Sequence, residues 1–140
     1  MKRATIILIV IIASTELLDR EASTTILPTK EEVSNDWGLL TLALIIVESE
    51  GNPLAVGSAN DVGVLQITPI YVEDVNRILG VEMYSLADRT DIEASIEMFN
   101  IYQAHYNQEL DIEKAIKLHN PRAGVEYLNK VLNEYNLLKN

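Results

Sequence analysis

The sequence predicts a mainly α, single-domain protein of about five helices around a buried central helix, with a small irregular or β-hairpin segment after that helix. Three observations predict it. From residue 34 onward apolar residues recur at steps of three and four, and no long stretch alternates as a strand would. The segment Leu39 to Val47 is apolar on nearly every face, which places its helix at the centre of a domain. The 140 residues suffice for one hydrophobic core.

Taken in order, the chain begins with Lys2 and Arg3 before the apolar run Ala4 to Ala13, followed by Ser14 and Thr15. These are the three regions of a secretory signal, assigned to residues 1–15. The run is shorter than the roughly twenty residues a bilayer-spanning helix needs. An uncleaved N-terminal anchor is the alternative, because Ile11 or Ile12 falls where a small side chain is preferred before a cleavage site. Residues 16–33 are polar and irregular, contain Pro28, and read as a tether to the domain at 34–140.

In that domain Ser34 or Asn35 is placed to cap a helix through Trp37 to Glu50, which Gly51 ends in the left-handed conformation. A loop with Pro53, Gly57 and Asn60 follows. Thr68 and Pro69 then form a cap and first-turn proline for a helix with Val72, Val75 and Leu79 on one side and Gly80 after its end. Thr90 and Glu93 have capping-box spacing, opening a helix with the stripe Ile92, Ile96, Phe99, Tyr102 and Tyr106. Asp111 is placed to cap a shorter helix to Leu118. Val125, Leu128, Leu132, Tyr135 and Leu138 continue the helical spacing to the C-terminus.

Composition excludes several chemistries. With no cysteine, the chain makes no disulfide, no thiolate metal site and no cysteine nucleophile. A net charge of −10 leaves little to neutralise phosphates, so nucleic acid is not an expected partner.

Glu48 stands out on physical grounds. It lies in the last turn of the most apolar helix, directly after Leu44, Ile45, Ile46 and Val47. Burial and the negative end of the helix dipole both disfavour its carboxylate, and a carboxyl kept protonated near neutral pH is what protonation of a glycosidic leaving group requires. From pattern alone an exposed helix-end glutamate explains the position more often. Glu50, beside Gly51 and Asn52, fits that exposed description better.

Residues 43–69, ALIIVESEGNPLAVGSANDVGVLQITP, resemble the signature of the soluble lytic transglycosylase family, whose fold is lysozyme-like. In that signature a helix ends in Glu-Ser, an Asn-Pro loop follows, and a glycine-apolar-apolar-glutamine segment lies opposite. The later blocks agree in order, so that the resemblance covers about residues 36–136. It implies that Glu48 is the catalytic acid/base. It also implies that Ser49, Gly63, Gln66, Asn120 and Tyr127 serve the substrate cleft, with the Tyr127 hydroxyl pointing at the acid. Singly, Gln66 is also explained as a surface amide, Asn120 as a turn residue before Pro121, and Tyr127 as a rim aromatic.

The chain departs from the family pattern in places. His119 stands where an aromatic residue, often tyrosine, usually precedes the asparagine, and is expected as a stacking or hydrogen-bonding substitute at the substrate. A lone histidine near a helix end is also often structural. Pro121, Arg122, Ala123 and Gly124 replace a glycine-rich stretch, and Gly57, with Ser58 beside it, takes the place of the usual serine.

The implied partner is the glycan strand of peptidoglycan, and the implied reaction is substrate-assisted and non-hydrolytic, with no metal or cofactor. The acidic surface argues against fast, long-range attraction to an anionic wall. A monomer in the periplasm or cell envelope, without an integral membrane domain once the signal is removed, is the expected state. An envelope-spanning assembly is a further expected partner. Two other readings remain at this stage. A hydrolytic muramidase would use Asp61 as its second acid, and a wall-binding module would keep the fold without turnover.

Overall fold

The structure, a computed structural model, describes residues 30–140. The signal segment and most of the tether lie outside the described residues. Five α-helices follow in order: α1 (Lys30–Ser49), α2 (Pro69–Leu79), α3 (Ile92–Tyr106), α4 (Ile112–His119) and α5 (Val125–Lys139), with a 3₁₀ helix at Leu86–Thr90 before α3. Among the described residues no helix is long and apolar enough to cross a membrane.

The first helix starts earlier than expected. Its backbone is helical from Lys30, so Ser34 and Asn35 lie inside it and neither caps it. Lys30, Glu31 and Glu32 are good helix formers, and the next glycine is Gly38, so nothing in this stretch stops the helix. At the other end the left-handed turn begins one residue before the expected glycine. Glu50 has φ 54° and Gly51 φ 80°. The glutamate is held there by its amide donating to the Ile46 carbonyl at 3.0 Å.

α1 packs along α5 and touches α4, while α2 and the 3₁₀ helix pack on α3. Leu40, Ala43 and Leu44 of α1 meet Val72 and Val75 of α2, Phe99 of α3, Ile116 of α4 and Val131 of α5 in one core. Leu42 is exposed, so α1 is covered on most faces rather than on all. Each fully buried aliphatic side chain contributes about 1.5–3 kcal/mol by leaving water, and together they fix how the helices cross.

The helix ends largely follow local chemistry. Thr68 accepts from the Tyr71 amide at 3.3 Å, Pro69 opens α2, and Gly80 ends it with φ 70°. Asp111 accepts from the Lys114 amide at 2.6 Å and starts α4. The expected Thr90–Glu93 capping box does not form. Thr90 closes the 3₁₀ helix, and Asp91 caps α3 by accepting from the Ala94 amide at 2.9 Å. The capping box belongs to Ser85 and Asp88 instead. The stripe on α3 is also rotated. Ile92 and Tyr106 are exposed, while Ser95, Met98, Phe99 and Gln103 are buried.

Between α1 and α2 the chain makes a miniature hairpin. Val62 and Ile67 exchange both backbone hydrogen bonds, at 3.1 and 3.0 Å, around the turn Gly63-Val64-Leu65-Gln66. Gly63 is required there, since its φ is +86° and a Cβ would lie 1.8 Å from the Arg89 carbonyl oxygen. Val64 and Leu65 plug this turn into the core.

Candidate functional site

Glu48 is in the last turn of α1, and its side chain is only 13% exposed. The Tyr127 phenol, from the first turn of α5, donates a hydrogen bond to its Oε1. The close packing of α5 on α1 brings these two residues together across 79 positions of sequence. Burial raises the pKa of the Glu48 carboxyl. The Tyr127 phenol and the positive Lys130 pull it down and the negative Asp61 pushes it up, and the net direction is upward. Burial first, then the neighbouring Glu48, holds Tyr127 far above the usual phenol range, so its hydroxyl keeps its hydrogen and donates.

His119, the last residue of α4, closes the site from beneath. Its side chain is 3% exposed and lies edge-on to Phe99 and to Tyr71, with ring centroids 5.6 and 5.9 Å away. Nε2 sits 2.9 Å from the Leu65 carbonyl oxygen and 3.7 Å from Glu48 Oε1. Desolvation lowers the imidazole pKa to about 4, against a smaller upward pull from the Leu65 carbonyl, so the ring is neutral near pH 7. His119 and Glu48 are therefore neighbours but not an ion pair. A ring so enclosed shows little surface on which a sugar could stack.

The turn opposite Glu48 is bound to α1 through Ser49. The Ser49 hydroxyl lies 2.9 Å from the Val64 carbonyl and 3.2 Å from the Ile45 carbonyl, and it accepts from the Gly51 amide at 3.2 Å. With its one hydrogen and its acceptor directed to backbone, Ser49 ties the helix end to the turn. Gly63 is buried, with its Cα against the Arg89 carbonyl. Gln66 is half-buried and left-handed, with φ 47°, and its amide nitrogen donates to the carbonyls of Ala55 (3.2 Å) and Gly63 (2.9 Å). These bonds offset a backbone cost of about 1 kcal/mol for a non-glycine residue in that region.

Asn120 ends α4, its amide donating to Ile116 (3.2 Å) and its carbonyl accepting from Ala123 (3.1 Å). Among the described residues its half-buried side chain makes no hydrogen bond to Glu48 or Tyr127. Asp61 reaches Glu48 electrostatically but has its carboxylate folded onto its own loop. Its Oδ1 accepts from the Ala59 amide at 2.9 Å, and its carboxylate fills the space where a Gly57 Cβ would sit.

Arg89 went unread in the sequence. It is 6% exposed, and its guanidinium donates to the carbonyls of Leu86 (2.9 Å), Asn60 (2.6 Å) and Ile67 (3.2 Å). Its own carbonyl accepts from the buried Ser95 hydroxyl at 3.0 Å. Arg89 thus clasps the 60–67 segment at both ends. The local pattern gave no sign of this, because Glu93 stands at i+4 from Arg89 as it would beside an ordinary surface arginine.

A family model for the transglycosylase SLT domain matches residues 28–118. No curated protein and no solved structure matches the chain.

Proposed function

Since the chain belongs to the transglycosylase SLT domain family, we propose that it cleaves the β-1,4 bond between N-acetylmuramic acid and N-acetylglucosamine in peptidoglycan without using water. Glu48 protonates the glycosidic oxygen as the bond to the muramic anomeric carbon breaks. The substrate's own N-acetyl oxygen stabilises the cationic carbon. The Glu48 carboxylate then takes the proton of the C6 hydroxyl, whose oxygen closes the 1,6-anhydro ring. The proton lost in the first half returns in the second, and neither metal nor cofactor takes part.

The observation that carries this reading is the sheltered Glu48 carboxyl with a permanent phenol donor on it. Burial favours the protonated acid before the reaction, and the Tyr127 hydrogen bond stabilises the carboxylate after the proton has left. Asn120, one residue beyond His119, is proposed to orient the acetamido group. Gln66 is proposed to present its free carbonyl oxygen to the glycan while its nitrogen holds the turn. The placement of Asp61 favours this route over hydrolysis. A carboxylate committed to the Ala59 amide and packed against Gly57 is poorly free to activate water.

Digestion of purified peptidoglycan followed by mass spectrometry tests the proposal. The wild type is expected to release anhydro-muramyl ends, and Glu48→Gln to lose activity by about a hundredfold or more, as for a missing general acid. Reducing ends would indicate a hydrolase. Absence of soluble fragments from the wild type would indicate a binding module. Export to the periplasm or cell envelope belongs to the same proposal, and cell fractionation tests it.

A further inference from the structure

One ring nitrogen of His119 lies near two acceptors at once. A carbonyl oxygen only accepts, so the 2.9 Å contact with Leu65 puts the imidazole hydrogen on Nε2. Nδ1 is then a bare lone pair, buried and without a partner among the described residues. The same Nε2–H faces a second acceptor, Glu48 Oε1, at 3.7 Å. One hydrogen is thus poised between a neutral peptide oxygen and the proposed catalytic carboxyl.

We infer that His119 is a positioning residue for Glu48: its Nε2–H, parked on the Leu65 carbonyl while Glu48 is protonated, turns toward Glu48 Oε1 when that carboxyl gives up its proton. It then joins the Tyr127 phenol in holding the carboxylate. The preference reverses because a charged acceptor makes a hydrogen bond roughly twice as strong as a neutral one. A movement of about 1 Å turns 3.7 Å into an ordinary hydrogen-bond length. No proton moves to or from the imidazole. It passes between Glu48 and the substrate, while His119 keeps one hydrogen throughout.

The other groups around this pair are few. Glu48 faces Tyr127 and Lys130 of α5 and Asp61 of the loop, and His119 faces Tyr71 of α2 besides Glu48. The ring's burial keeps it neutral above about pH 4, so the imidazole acts as a donor and not as a counter-charge.

The inference rests on the acid/base role of Glu48 but is tested without substrate. Carbon-13 NMR of the glutamate carboxyls gives the Glu48 titration midpoint in the wild type, His119→Phe and His119→Gln. Phenylalanine fills the ring space and donates nothing, whereas glutamine restores an N–H near the position of Nε2. Loss of a donor to the charged form is expected to raise the midpoint by about half a pH unit or more in His119→Phe, with His119→Gln close to wild type. On peptidoglycan, kcat and the basic limb of the pH profile should follow the same ranking, with KM unchanged.

An unmoved midpoint in His119→Phe, or equal shifts in both variants, would overturn the inference and leave His119 as packing alone. Should His119→Phe not fold, His119→Asn replaces it, because its amide overlays Nδ1 and cannot reach Glu48. If the midpoints rank as expected while no protein cleaves peptidoglycan, the proposed function fails and the hold of His119 on Glu48 stands.

Discussion

Arg89 and His119 are two nitrogen-rich side chains buried against the same short loop, and they hold it in opposite ways. Arg89 distributes its hydrogens over three carbonyls, two of them at Asn60 and Ile67 on either side of the turn, and takes no part in the Glu48 cluster. His119 meets the loop at the single carbonyl of Leu65, has no partner for its other nitrogen among the described residues, and stands beside Glu48. A guanidinium has only donors and suits a set of carbonyls. A neutral imidazole has one hydrogen to give, and that of His119 stands within reach of two acceptors, the Leu65 carbonyl and the Glu48 carboxyl. One anchor serves shape and the other serves chemistry.

Perturbing the Arg89 side is expected to have the largest effect on stability. Gly63→Ala adds a methyl to a left-handed residue and drives it into the Arg89 carbonyl, which is backbone and cannot swing away. A loss of about 3 kcal/mol or more, from left-handed strain and overpacking together, is expected in urea unfolding. A stable Gly63→Ala protein would show that the turn is not pinned. Arg89→Met is expected to cost about 2–4 kcal/mol, since three carbonyls lose a charged donor in a buried site. Activity should fall with the folded fraction, without a change in the pH at which Glu48 titrates.

On the His119 side the effect depends on pH. The imidazole pKa falls from 6.5 to about 4 on folding, so its contribution to stability is fully present above about pH 6.5 and lost as pH drops toward 4. The loss amounts to roughly 3 kcal/mol at most. Glu48 acts in the opposite sense. Its raised pKa gives a contribution present below 4.5 and lost as pH rises through the folded value. Urea unfolding at pH 7 and pH 4.5 should therefore show His119→Phe gaining on the wild type at the lower pH. A constant difference between the two would contradict a neutral, buried His119.

The smallest effect is expected at Asp61. Asp61→Asn keeps an oxygen for the Ala59 amide and removes a negative charge that raises the Glu48 pKa. The pH optimum should shift slightly downward, with activity within a few-fold of wild type. A drop comparable to that of Glu48→Gln would instead give Asp61 a direct role and return the hydrolytic reading.

The helices with local stop and start signals were legible in the sequence. Thr68, Pro69 and Gly80 delimit α2, and Asp111 starts α4, because capping depends on residues within three or four positions. The start of α1 was misplaced because Ser34 is as good a cap on paper as any, yet the residues before it also favour a helix. Glu48 was legible from its apolar neighbours and from the resemblance of its surroundings. The contacts of Ser49 with the Val64 carbonyl and of Gly63 with Arg89 join residues far apart in sequence, so no local pattern showed them.

By itself the sequence determined the helical content and the central place of Leu39 to Val47, and it offered Glu48 as a candidate whose burial the local pattern left open. These follow from periodicity and capping chemistry, which act over a few residues. Only the tertiary structure decided what meets the Glu48 carboxyl, the phenol from α5 and the imidazole from α4, and what holds the neighbouring loop, the arginine clasp. Those residues come from 41 to 79 positions beyond Glu48 in the chain, and the direction of a buried donor is fixed by packing that no local pattern encodes.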